Sequence, residues 1–421
     1  TMPAFDLQLV IVFIVALLAG ALGLAGYLVL SERKIAAWIQ DRKGPNRVGP
    51  WGLFQPIADG VKMFLKEEVI PAHVDKVFYI LAPIVSVSTA LLALAVIPFG
   101  PTVPPPAPVA LAEGSSPAEG LTEFLQRQAE YRQHTSFLLA PGLDIALLYV
   151  FSLGSLAVYG VILAGWSSNS KYSLLGCLRA SAQIVSYEIP MGLSVLGVIL
   201  LAGSLNLEKI IDCQTRDGPY WFILFQPLAL LLFMLSLYAE DNRLPFDLAE
   251  AEQELVGGYH TEYSSMKLGL MLLAEYVHLV ISSFLVTVLF LGGWSLFGLE
   301  NLLGQTPWAA VIKVLVICGK MLFLVFFAQV IRWTIPRFRF DQLMNLAWKV
   351  LIPLGLANLF CVMGVLHWGL PWVTLTVTSI LLLLGAGYFA SRWRGSVSVV
   401  RRKVVPLPPG VPPGVTFAPQ R

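Results

Sequence analysis

The sequence predicts an all-α, polytopic integral membrane protein, and three observations carry that prediction. Hydrophobic residues make up 57% of the 421 residues and charged ones only 13%, against about a quarter in an ordinary soluble domain. The mean hydropathy of +0.73 implies more apolar surface than one soluble core can hide, so the surrounding solvent must be lipid. The apolar residues also fall in long stretches, not short alternating ones. That selects helices over a barrel, since every backbone polar group in lipid must be satisfied internally.

About 20 residues of helix cross the hydrocarbon core. Nine stretches reach that length, at approximately 7–30, 77–99, 141–165, 178–203, 219–239, 268–297, 308–331, 347–366 and 371–390. The first is too long for the apolar region of a signal peptide. It has no basic residues before it and no small-x-small site ahead of Ser31, so it is expected to remain as a spanning helix. The first, third, fifth and seventh connections, with the C-terminal tail and adjoining helix ends, hold 22 of the 28 basic residues. The even connections hold four: Arg127, Arg132, Lys209 and Arg216. By the positive-inside rule the N-terminus faces out and the C-terminus in.

The whole chain, 1–421, reads as a single membrane domain. Its outer loop, 100–140, opens Pro-rich at 101–108 and is expected to carry a short helix at 118–133. The inner tail, 391–421, turns Pro/Gly-rich from Pro406 and is expected to be extended or disordered. No internal repeat is visible, which argues against an inverted-repeat transporter. A net charge of +2 and the lack of a basic-aromatic stripe argue against nucleic acid as a partner. Cys177, Cys213, Cys318 and Cys361 are far apart with no Cys-x-x-Cys pair. They read as small apolar fillers, with no metal site expected.

Charges at membrane depth are the informative residues, because each costs roughly 2.5–3.5 kcal/mol to place at a helix centre. Glu188 lies in Ser186-Tyr187-Glu188-Ile189-Pro190, where Pro190 should kink the helix beside the carboxyl. It is a candidate for handling protons; the alternative is a buried structural partner. Glu275 stands near the inner end of the sixth span and Lys320 midway along the seventh. For Lys320 a quiet pairing with a carboxylate competes with a functional role. Between Glu240 and Glu254 six carboxylates accompany one arginine, Arg243. Asp247, Glu250 and Glu254 share one helical face, while Glu252 points elsewhere. Crowded carboxyls raise one another's pKa, as a proton relay needs; an acidic patch for a basic partner would look the same.

The first connection carries Glu32-Arg33-Lys34, then Asp41-Arg42-Lys43-Gly44-Pro45-Asn46-Arg47-Val48-Gly49-Pro50, and then a segment from Gly52 to Glu67. From Ile57 onward, positions 57, 61, 64 and 65 make an apolar face, with Asp59, Lys62 and Lys66 opposite. That pattern predicts a surface amphipathic helix. A groove between it and the spans would suit an amphiphile with a polar head and an apolar tail.

Two of these stretches, Gly52 to Glu67 and Pro245-Phe246-Asp247-Leu248-Ala249-Glu250-Ala251-Glu252-Gln253-Glu254-Leu255-Val256-Gly257-Gly258, closely resemble signatures of one family. It is the family of respiratory complex I membrane subunits that includes NADH dehydrogenase subunit 1 of mitochondria and its bacterial counterpart. Gly44 to Pro50, Ser186-Tyr187-Glu188 and Pro336-Arg337-Phe338-Arg339-Phe340-Asp341 extend the resemblance over about residues 5–366. The ninth span resembles the extra helix of bacterial members, which implies the inner membrane of a bacterium.

The resemblance implies a subunit of a proton-pumping NADH-quinone oxidoreductase, with no activity in isolation. Such a subunit forms much of the quinone tunnel and couples quinone reduction to proton translocation. Quinone would be the substrate. NADH, FMN and the iron–sulfur clusters would belong to partner subunits, and none would bind to this chain alone. The partners implied are the subunit carrying the terminal iron–sulfur cluster, the peripheral subunit whose Tyr and His bind the quinone head, and small membrane-arm subunits. By similarity Glu32, Arg33, Arg42, Asp59, Lys62, Arg332 and Arg337 would line or gate the tunnel. Glu188, Glu240, Asp247, Glu250, Glu252, Glu254 and Glu275 would couple quinone chemistry to protons. The nearest rival is the homologous subunit of a membrane-bound hydrogenase or formate hydrogenlyase. A plastid-type complex fed by ferredoxin is another, and a stand-alone secondary transporter leaves the signatures unexplained.

The topology is open to direct test. Cysteines introduced at Ser115 and Ser398 should react with an impermeant thiol reagent from opposite sides of sealed vesicles, and labelling of both from one side would refute the orientation.

Overall fold

The computed structural model describes residues 7–100, 126, 139–140, 142–216, 221–248, 256–297 and 307–393. The expectations for Glu250, Glu252 and Glu254, for the helix at 118–133 and for the tail from Pro406 fall outside the described residues.

Among the described residues there are helices and no strands. Helix α1 (Leu7–Ile39) leads through a Gly/Pro-rich turn to α2 (Gln55–Leu65). Then come α3 (Lys76–Ala93), α4 (Ala146–Ser167), α5 (Lys171–Ala202) and the short α6 (Leu207–Arg216). The pair α7 (Phe222–Phe225) and α8 (Pro227–Glu240) precedes a tight turn at Gly258–His260. Helices α9 (Ser265–Phe290), α10 (Pro307–Thr334), α11 (Phe340–Leu346), α12 (Ile352–His367) and α13 (Val373–Trp393) complete the bundle. Seven stretches are long and apolar enough to cross a membrane, the last joining α11 to α12. Two shorter apolar helices, Pro227–Glu240 and Val373–Tyr388, stand at the fifth and ninth expected spans. The chain is a polytopic helical membrane protein.

Several boundaries differ from the expected ones, each for a local reason. Nothing between Ser31 and Ile39 breaks a helix, so α1 continues past residue 30. The fifth span is interrupted at Gln226 (φ −129°, ψ 59°), because the residue before a proline is pushed out of the helical region. The helix restarts with Pro227 in its first turn, where the missing N–H is not needed. Gln226 is fully buried and donates Nε2 to the Gly197 carbonyl at 3.1 Å. A wide turn at Ala347–Leu351 joins α11 to α12 over the carbonyls that Pro353 would crowd.

Helix α9 is the axis of the bundle, packed against α1, α3, α8 and α10. Every residue from Leu279 to Phe290 is buried, as an all-round apolar helix must be. Its start is tied to α2, since the Ser265 hydroxyl lies 2.9 Å from the Met63 carbonyl and 3.0 Å from that of Lys66. Helix α2 itself buries no residue, and Ile57, Val61, Phe64 and Leu65 remain exposed, as expected for a helix lying at the membrane surface.

The far end of α9 is held by two polar side chains. Gln214 of α6 donates Nε2 to the Val288 carbonyl (2.9 Å) and accepts at Oε1 from the Gly292 and Phe222 N–H groups (3.0 and 3.3 Å). Lys320 of α10 donates to the carbonyls of Leu291 (2.5 Å), Gly293 (3.0 Å) and Ser295 (2.5 Å) and lies 4.2 Å from the centre of the Trp221 ring. Its charge therefore faces the negative end of the α9 dipole. Hydrogen bonds from a charged donor are worth roughly 1.5–3 kcal/mol each. Lys320→Met should lower the melting temperature of the purified complex by several degrees, and Lys320→Arg should recover part of the loss. An unchanged melting curve for Lys320→Met would rule out the clamp.

Candidate functional site

Glu32 and Arg33 are neighbours on α1, about 100° apart around the helix, and they point into different surroundings. Glu32 turns into the bundle and is only 6% exposed. Its Oε1 lies 2.6 Å from Arg332 Nη1 of α10, and its Oε2 lies 3.4 Å from Arg243 Nη1. The Tyr276 hydroxyl of α9 donates to the same Oε2 at 2.7 Å. Arg243 stacks over the Tyr276 ring, 4.1 Å from its centre, a cation–π contact. Beyond Arg243 lies Glu275, with Oε2 4.0 Å from Arg243 Nη2 and Oε1 accepting from the Tyr259 hydroxyl at 3.0 Å. Burial works against the charge on Arg243, but Tyr276, Glu275 and Glu32 more than offset it and hold the guanidinium protonated, above its ordinary range. Two carboxyl and two guanidinium groups thus form one largely buried cluster. Nε of Arg243 and Nε of Arg332 are buried with no hydrogen-bond partner among the described residues. They are donors free to meet an oxygen atom.

Arg33 turns outward and pairs with Asp59 of α2 at 2.6 Å, and Asp59 also accepts from Gln55 at 3.0 Å. Closer in, Gly26 lets α1 approach Pro56, whose Cβ would be 3.8 Å from a Cβ at Gly26. Arg337 reaches the buried Asp247 at 3.2 Å. Arg42 instead donates to Gln40 at 2.7 Å on the surface, and Lys62 is exposed on α2. The structure does not bring either to the Glu32 cluster.

The remaining carboxyls have a different environment. Asp241 is buried and accepts from the Ser282 hydroxyl at 3.0 Å. Glu188 on α5 accepts from the Ser155 hydroxyl of α4 and opens onto a groove lined by Val185, Ile189, Gly192 and Leu196. Glu240 lies within electrostatic reach of both Asp241 and Glu188. Gly154 explains how α4 fits here, since a Cβ at that position would collide with the Glu240 carboxyl. Consecutive residues of α4 therefore meet consecutive stations, with Gly154 against Glu240 and Ser155 against Glu188. Among the described residues no lysine or arginine is ion-paired with Glu188, Glu240 or Asp241.

Sequence reasoning gave no role to Arg243, Tyr276, Asp241, His278, Tyr259 or Ser155. Two of these had a readable signal. His278 follows Glu275 by three residues and so shares its helical face, and Tyr276 adjoins it. The partners of Arg243 are distant in sequence and carry no local sign.

The family model described as NADH dehydrogenase matches residues 9–363. A protein of Cytophaga hutchinsonii, named as an H-type subunit of NADH-quinone oxidoreductase, is 42% identical over 348 residues, covering 83% of this chain and 94% of its own. The protein of the same name in Leptospira biflexa is 44% identical over 355 residues, covering 83% of this chain and 93% of its own. In Geobacter sulfurreducens, a further protein of that name is 46% identical over 338 residues, covering 80% and 90% respectively. A match spanning most of the chain, on a polytopic helical bundle, means that this chain belongs to the NADH dehydrogenase family, as a membrane subunit of the NADH-quinone oxidoreductase complex.

Proposed function

We propose that this subunit forms much of a quinone tunnel and couples quinone reduction to proton translocation. The observation that carries the reading is the Glu32 cluster, which gathers α1, α9, α10 and the segment after α8 around buried donors. Those donors suit the oxygens of a quinone head. The exposed apolar face of α2 beside α1 would meet its apolar tail, and Arg33 and Asp59 would sit at the entrance. Reduction to quinol takes two electrons and two protons. The electrons would come from an iron–sulfur cluster in a partner subunit, and the protons must be drawn from nearby groups. A paired cluster responds to new negative charge by tightening on it. Arg243 would then release its hold on Glu275, which shares a cavity with Glu240 and Asp241. Carboxyls without a cation partner take up or give away protons more readily than paired ones. The path would run from Glu275 through Asp241 and Glu240 to Glu188. The inner membrane of a bacterium is the proposed location, with peripheral and small membrane-arm subunits as neighbours.

Two substitutions test the two halves in the intact complex. The Arg33–Asp59 pair is partly exposed, and such pairs contribute only about 0–1 kcal/mol, so Asp59→Ala should assemble normally. It should lower quinone reduction several-fold while leaving NADH oxidation by an artificial acceptor intact. A parallel fall in both activities would remove the entrance assignment.

Glu188→Gln keeps an oxygen to accept from Ser155 but cannot ionise. It should assemble and yet lose quinone reduction and proton pumping together, while Glu188→Asp retains part of both. Wild-type turnover and pumping in an assembled Glu188→Gln complex would leave Glu188 a structural contact.

A further inference from the structure

Two cavities lie end to end beside α9. The larger, about 50 Å³, includes Tyr259, Glu275, Asn242 and Ser86 in its wall. The smaller, about 20 Å³, includes Ser282 and the apolar Val150, Phe151, Leu237 and Leu285. Both exceed the roughly 10–15 Å³ that one water needs. Four residues line both cavities: Gly154, Glu240, Asp241 and His278. They form a waist between the two. Along α9, Glu275, His278 and Ser282 follow at steps of three and four, a polar stripe on an otherwise apolar helix. No lysine or arginine among the described residues lines either cavity.

At this waist Asp241 Oδ2 and His278 Nε2 are buried, and neither has a hydrogen-bond partner among the described residues. Buried polar atoms are nearly always satisfied, by protein or by ordered water. We infer that His278 and Asp241 hold a bridging water at the waist, which makes His278 a positioning residue that joins the two cavities into one proton path. A quiet core histidine would turn a nitrogen to a fixed acceptor; Nε2 of this one faces two water-sized spaces and a carboxyl oxygen, Asp241 Oδ2, that also lacks a partner among the described residues. Beyond Ser282 the smaller cavity ends in apolar side chains, so protons reaching the waist have Glu240 as their exit, and α4 lines the step from that carboxyl to Glu188, with Gly154 against the one and Ser155 against the other. The inference rests on the proton-coupling reading above.

The test uses the purified complex in proteoliposomes, with NADH-driven quinone reduction and proton uptake measured together. His278→Phe keeps a ring of similar size without the nitrogens, and should lower coupled turnover about tenfold or more, the cost expected for a lost buried partner. NADH oxidation by an artificial acceptor should persist and report assembly. His278→Gln restores a polar group near Nε2 and should recover at least half of the wild-type activity, a rescue that a purely steric role would not give. His278→Leu serves if the Phe variant does not assemble. Wild-type turnover and pumping in an assembled His278→Phe or His278→Leu complex would overturn the inference. A Gln variant as impaired as Phe would overturn the water-holding role. Parallel measurement of Glu188→Gln separates the two claims: normal pumping there with loss in His278→Phe removes Glu188 from the path and leaves the waist, and the reverse pattern removes the waist alone.

Discussion

The rest of the structure depends on Glu32 being fully paired inside the bundle. A carboxylate that is 6% exposed cannot be left alone, because an uncompensated buried charge destabilises a protein by about 3–5 kcal/mol. Arg332, Arg243 and Tyr276 supply the compensation, and each comes from a different part of the chain. Satisfying one side chain therefore fixes the mutual placement of α1, α9, α10 and the turn after α8. Buried ion clusters are poor sources of net stability. What this one provides is geometry: only one arrangement of the four segments leaves no charge unanswered.

The charges divide into two populations that composition alone would merge. Around Glu32 the acids and bases are paired, and the hydrogen bonds are specific. Along Asp241, Glu240 and Glu188 the neighbours are hydroxyls, His278, one another and apolar walls. Groups of the first kind are held by ion pairs, whereas those of the second kind have no ion pair with a lysine or arginine among the described residues. Glu275 belongs to both, since it faces Arg243 on one side and the larger cavity on the other. That double membership makes it the natural junction between the proposed quinone site and the proposed proton path.

Much of this was legible in the sequence. Apolar run length located the helices, and the face holding Ile57, Val61, Phe64 and Leu65 identified α2 as a surface helix. The acidity of the segment after α8 marked its importance. What periodicity could not supply was pairing across the fold. Arg243 looked isolated among acids, and only the folded chain shows Arg332 closing on Glu32 and Arg337 on Asp247, the latter 90 residues away. Lys320 was readable only in part. A lysine in an apolar helix suggests a carboxylate partner, but this one also donates to backbone carbonyls at the end of another helix, which leave no trace in composition. The break at Gln226 was readable from Pro227, but an unbroken apolar run concealed it.

The two neighbours Glu32 and Arg33 also differ in their contact with the surrounding electrolyte. Mobile ions screen exposed charges over about 8–10 Å at physiological ionic strength and reach buried ones far less. The Arg33–Asp59 pair, with side chains 49% and 28% exposed, lies open to that screening. The pair formed by Glu32 and Arg243, at 8% and 7%, does not. A single residue step along the helix thus separates a contact that salt can loosen from one that it cannot. The clasp between α1 and α2 would soften as ionic strength rises while the interior arrangement stays fixed, so the ionic composition of the compartment would act on admission to the proposed quinone site and leave the buried cluster as it is.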